Sequence, residues 1–120
     1  MKTRKFKESL SFALAGIAYT WKTQRNFRLH IMFGSLAVVA SLLLRISYLE
    51  VLLIASAIFF VLVMELLNTA LESTVDLVTK EYHPLACIAK NIGAAAVLLA
   101  ALFALAVGAV IFGRRIVNFF

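Results

Sequence analysis

Three stretches of this 120-residue chain carry no Asp, Glu, Lys or Arg: Leu29 to Leu44, Val51 to Met64 and Asn91 to Gly113. Because a helix needs about 20 residues to cross the roughly 30 Å hydrocarbon core of a bilayer, the third stretch spans unaided and the first two need help at their ends. Arg28 and Arg45 can snorkel from either end of the first, and the second runs on through Glu65 into Leu66, Leu67, Ala70 and Leu71 without a helix breaker. The pattern predicts three transmembrane helices near 28–46, 49–67 and 91–113, with the second continuing as helix to about Thr79 and Pro84 marking the loop that follows. Composition agrees. At 63% hydrophobic and 15% charged, the chain departs from the roughly 45 to 50% apolar and about 25% charged of ordinary water-soluble domains.

Upstream, Phe6, Leu10, Ala13, Leu14, Ile17 and Trp21 recur at spacings of three and four, with Lys5, Lys7, Glu8 and Ser11 on other faces. This predicts a basic amphipathic helix over 4–23 lying in the lipid headgroup layer. A signal peptide is disfavoured, because Lys7, Glu8 and Gly16 interrupt any clean apolar core. The net charge of +6 would suggest nucleic acid in a soluble protein, but here it points to anionic lipid instead. The single cysteine, Cys87, has no CxxC or His partner at metal-ligand spacing and reads as a packing residue. The chain has room for one membrane domain over 1–120 and no separate catalytic module.

Lys and Arg set the expected topology. Seven lie before the first span, Arg45 follows it, Lys80 and Lys90 flank the second loop, and Arg114 and Arg115 end the chain's charged positions. The positive-inside rule therefore puts the amino terminus and the 80–90 loop in the cytoplasm, with Arg114 and Arg115 a smaller contrary signal.

Four of the six acids fall within residues 65–81, and three of them share a line. At 100° per residue, Glu72 is rotated about −20° from Glu65, Asp76 about +20° and Asn68 about −60°, so one helix face carries all four. A carboxylate at the end of an apolar span is expensive unless it is paired, hydrated or protonated. Glu65 could serve helix packing, and Glu72 and Asp76 taken alone could be a solvated face. Lys90 and Asn91 stand where the third span enters the membrane on the same side. Carboxylates, an amide and a lysine at a membrane surface are the parts of a phosphoryl-transfer site: an acid can hold Mg²⁺, a lysine can neutralise polyphosphate oxygens, and a carboxylate can accept a hydroxyl proton. Neither GxxxxGK[ST] nor GxGxxG occurs, so a nucleotide site here needs another design.

Glu65-Leu-Leu-Asn68-Thr-Ala-Leu-Glu72-Ser-Thr-Val-Asp76, followed by Tyr82-His83-Pro84-Leu85-Ala86 and Ala89-Lys90-Asn91-Ile92-Gly93-Ala94-Ala95-Ala96-Val97, resembles the prokaryotic diacylglycerol kinase family. Arg25-Asn26-Phe27-Arg28-Leu29-His30 resembles that family's segment before the first span, and the similarity covers Lys5 to Ile111. The resemblance implies an all-α homotrimer of three-span subunits with amino-terminal surface helices in the bacterial cytoplasmic membrane. It implies that MgATP phosphorylates a lipid alcohol at the cytoplasmic face, with no nucleic-acid partner. By position, Glu65 would be the general base, Asn68 would support it, Glu72 would hold the metal, and Asp76 and Lys90 would line the nucleotide site. Lys5 would face nucleotide or lipid. Two positions depart from the family pattern: Gln24 stands where many relatives have a second metal-ligating Glu, and Asn91 where the family has an Asp beside the lysine. Gln24 can still ligate through its carbonyl oxygen, whereas the amide at Asn91 predicts a less firmly oriented Lys90 and a weakened enzyme. The HPLA and RNFRLH segments resemble the Gram-positive and cyanobacterial branch, whose members can prefer undecaprenol to diacylglycerol. A small proton or cation transporter built on Glu65 is the alternative, but a transport site belongs near the bilayer midplane and Glu65 lies at the end of its span.

Overall fold

The computed structural model describes residues 5–119, so Arg4, at the start of the expected surface helix, lies outside the described residues. Among the described residues the fold consists of four helices: α1 (Phe6–Thr23), α2 (Arg25–Leu43), α3 (Tyr48–Val78) and α4 (Pro84–Phe119). The last three are long and apolar enough to cross a membrane. At 1.5 Å per residue α3 is about 46 Å long and α4 about 54 Å, so each overruns the hydrocarbon thickness.

α3 and α4 form the most extensive helix pair, and α2 packs on α3. The α3–α4 register can be followed along its whole length. Asp76 bonds Lys90, Asn68 abuts Gly93, the Phe60 and Phe103 rings meet edge to face at 6.4 Å, and Glu50 bonds Arg115. Glycine is required at two close approaches, one of α2 to α3 and one of α4 to α3. A Cβ at Gly34 would sit 2.9 Å from Ile58 of α3, and one at Gly93 would sit 2.7 Å from Leu71 and collide with the Asn68 side chain. Small residues of this kind let helices associate where lipid removes the usual hydrophobic drive. Hydroxyls inside the helices are satisfied locally: Thr20, Ser41, Ser56 and Thr69 each donate to the carbonyl four residues back.

The apolar stripe of α1 is left uncovered by the rest of the chain, with Phe6, Leu10, Leu14, Ile17 and Trp21 exposed. That is the arrangement a helix lying in a bilayer surface needs. One residue, Gln24, separates α1 from α2 in extended conformation. Arg28 turns back rather than reaching outward as a snorkelling arginine would, and its Nη1 donates to the carbonyls of Trp21 at 2.7 Å and Lys22 at 3.2 Å. It thereby satisfies carbonyls that the α1 terminus leaves open and fixes the angle between the two helices.

Pro84 opens α4 instead of lying in the preceding loop. Proline suits the first helical position because its missing N–H would have no helical partner there. His83 caps this start, its Nδ1 accepting from the Leu85 N–H at 3.1 Å. α4 consequently begins a full two turns before the apolar stretch at Asn91, and Lys90 rides on a rigid helix rather than a loop.

Candidate active site

The acidic stripe lies on the face of α3 that meets α2 and α4. Glu65 is 3% exposed. It lies 17 residues from the start of α3, about 26 Å along the axis, which is close to the edge of a hydrocarbon core entered from the Tyr48 end. His30 of α2 brings Nε2 to 3.3 Å from Glu65 Oε1. This is ion-pair distance without hydrogen-bond alignment, and Glu65 Oε1 is left buried without a hydrogen bond. Asn68 Nδ2 donates to Glu72 Oε1 at 3.3 Å. The other end of that amide, Oδ1, is also buried without a hydrogen bond, pressed towards Gly93 of α4.

One turn further out, Lys90 Nζ donates to Asp76 Oδ1 at 2.7 Å, both side chains being substantially exposed. The hydrogen bond to Asp76 holds the Lys90 ammonium above its ordinary range, outside the expected span 91–113. The pairing revises the expectation drawn from Asn91: Lys90 is oriented after all, by a carboxylate on α3. Asn91 itself is exposed, and its Nδ2 reaches Cys87 Sγ at 3.8 Å.

Helix packing therefore brings Glu65, Asn68, Glu72, Asp76 and Lys90 to one end of the α3–α4 pair. Gln24 is half-buried at the α1–α2 junction, and Lys5 is exposed at the cap of α1, at the far end of that helix from Gln24. Sequence reasoning passed over His30 and Gly93 as site residues. His30 was legible only as part of the RNFRLH segment, and Gly93 only as one small residue among several.

No group of three or more His, Cys, Asp and Glu that could hold a metal is found among the described residues. Mg²⁺ does not demand one, since it commonly takes one or two carboxylates and completes its octahedron with water and phosphate oxygens. Glu72, with one carboxylate oxygen outside its bond to Asn68, and the unsatisfied Asn68 Oδ1 are hard oxygen donors of that kind. Beyond His30 an open apolar groove of about 620 Å³ follows α3 between α2 and α4, lined by Phe33, Gly34, Ala57, Val61 and Ala104 among others.

The sequence profile of the prokaryotic diacylglycerol kinase family matches residues 11–112. The chain is 48% identical over 101 residues to a diacylglycerol kinase of Synechocystis sp., covering 83% of this chain and 58% of that longer protein. It is 38% identical over 108 residues to the undecaprenol kinase of Bacillus subtilis, covering 90% of this chain and 88% of the relative. It is 33% identical over 97 residues to the diacylglycerol kinase of Escherichia coli, covering 81% and 80%. With its profile matched across all three long helices and its polar stripe assembled at one end of them, the chain belongs to the prokaryotic diacylglycerol kinase family.

Proposed function

We propose that this protein is a bacterial membrane lipid kinase that transfers the γ-phosphoryl group of ATP to the primary hydroxyl of a lipid alcohol, diacylglycerol or undecaprenol. The reading rests on family membership and on one observation above others: two oxygens of the stripe, Glu65 Oε1 and Asn68 Oδ1, are buried without hydrogen bonds. Such groups cost free energy in a resting protein and need a reason to persist. A substrate hydroxyl that donates to Glu65 supplies one.

Glu65 accepts the lipid hydroxyl proton as the oxygen attacks phosphorus. Asn68 carries its amide between Glu65 and Glu72, and holds the Glu72 carboxylate towards the phosphates. Lys90, steered by Asp76, meets the polyphosphate oxygens. Gln24 and Lys5 complete the surroundings, Gln24 by its carbonyl oxygen and Lys5 by its charge. Glu72 would hold Mg²⁺, which when bound would neutralise phosphate charge. The amino terminus and the α3–α4 connection face the cytoplasm, where ATP is found.

The functional unit is a homotrimer with sites completed between subunits. One subunit buries Glu65 but leaves Glu72 half-buried and the groove beside His30 open, and a neighbouring copy covers these. The test supplies diacylglycerol and undecaprenol separately to the purified protein with labelled MgATP and measures its mass in mild detergent. Label in neither lipid defeats the kinase reading; a monomer with full turnover defeats the trimer.

A further inference from the structure

Glu65 has few places to send a proton. If it is the general base, as proposed above, it ends each turnover as a neutral carboxyl inside a residue that is 3% exposed, and it must be emptied before the next lipid arrives. Its neighbours on α3 offer little. The Thr69 hydroxyl is turned to the Glu65 backbone carbonyl at 2.8 Å, and the Asn68 amide is given to Glu72. From α4, Lys90 is engaged with Asp76. Glu72 is the other charged side chain bearing on Glu65 from its own helix, and it takes the Asn68 amide. From α2 comes His30, whose Nε2 stands 3.3 Å from Glu65 Oε1 while its side chain remains 29% exposed. One imidazole thus touches the buried carboxylate and reaches the surface of the subunit.

We propose that His30 is the proton exit of Glu65, acting through that carboxylate and not on the substrate. During transfer the lipid O–H bond breaks as its oxygen bonds to the γ-phosphorus, and the proton moves to Glu65. The bond from the γ-phosphorus to the β-bridging oxygen breaks, and its electron pair leaves on ADP. The Glu65 carboxyl then gives its proton to the His30 Nε2 lone pair, and the imidazolium releases it to water, so that each turnover yields one phospholipid, one ADP and one proton. The relay requires neutral His30 with its proton on Nδ1, and a small rotation to bring the 3.3 Å pair into hydrogen-bond alignment.

A histidine that merely holds the Glu65 rotamer would occupy the same position, so the experiment must separate basicity from shape. Lipid-dependent turnover at saturating MgATP is measured for the unsubstituted protein, for His30→Gln, and for His30→Ala with added imidazole or pyrazole, two rings of the same size of which only imidazole is an effective base. Because the residue acts at one remove from substrate, the expected loss in kcat is about tenfold for either variant, below the 10²-fold or more of a group touching substrate, with the KM for ATP unchanged. Imidazole restores His30→Ala and pyrazole does not. Full turnover by His30→Gln, equal rescue by both rings, or rescue by neither overturns the proton-exit role. The glutamine variant keeps the test decisive if His30→Ala does not fold. Active unsubstituted protein with an unaffected His30→Gln defeats this inference alone, whereas unsubstituted protein inactive on both lipids defeats the kinase reading beneath it.

Discussion

The two ends of the α3–α4 pair are built from the same parts and put them to opposite uses. Each has an acid on α3 bonded to a cation on α4: Asp76 to Lys90 at 2.7 Å at one end, Glu50 to Arg115 at 3.3 Å at the other. At the Glu50 end the polar groups close on one another. Ser47 caps α3 by accepting from the Glu50 N–H, Glu50 Oε1 accepts from the Ser47 N–H and hydroxyl, and Arg115 supplies the charge. At the Glu65 end two buried oxygens are left over. The contrast teaches where to look for chemistry in a membrane bundle: a closed capping box spends its hydrogen-bonding capacity on the fold, while an open stripe holds it for something absent.

Substitutions at each end test that contrast. The largest effect is expected at the open end. Glu65→Gln keeps size and polarity but cannot take a proton, and should lower lipid phosphorylation by about 10²-fold or more with nucleotide binding retained. An assay of turnover beside ATP-analogue binding checks it, and near-normal turnover would show the unsatisfied carboxylate to be idle.

Gly93→Ala attacks the same end through packing. Its methyl group must displace the side chains of Asn68 and Leu71, whose Oδ1 and Cδ2 fill the space it needs. Overpacking of this kind costs about 1–3 kcal/mol, so the expected result is a lower unfolding midpoint in detergent together with reduced turnover from the displaced Asn68. A stable, fully active Gly93→Ala protein would mean that α4 can retreat without consequence.

At the closed end, Ser47→Ala removes the cap and should cost about 1 kcal/mol of stability while leaving lipid phosphorylation unchanged. Lost activity in that variant would erase the distinction between the two ends.

Asn91→Asp should do least. With Lys90 already bonded to Asp76, a second carboxylate on an exposed neighbouring position is expected to change turnover by under about threefold, roughly 0.6 kcal/mol of barrier. A rise of tenfold or more would show that Asp76 does not suffice to place the lysine.

Much of this protein follows from its sequence alone. The charge-free stretches dictate three long helices because a backbone in hydrocarbon must satisfy its own hydrogen bonds, and the three-and-four spacing from Phe6 to Trp21 dictates a surface helix for the same apolar reason. The line Glu65, Asn68, Glu72, Asp76 was equally legible, since helical periodicity within one continuous helix needs no tertiary information. What the sequence leaves open is everything that depends on a second helix. Lys90 reads as a partner for a neighbouring residue 91 until the α3–α4 register hands it to Asp76, fourteen residues back. Pro84 reads as a loop until a histidine cap and a free first-turn position make it the start of α4. Arg28 reads as an anchor in the headgroups until the single-residue turn at Gln24 swings it onto the carbonyls of α1. His30, separated from Glu65 by 35 positions, meets it only because Gly34 lets α2 settle onto α3. Local pattern chooses the helices, but which side chains face one another across them depends on register and on where a missing Cβ permits close approach, and those are decided by packing.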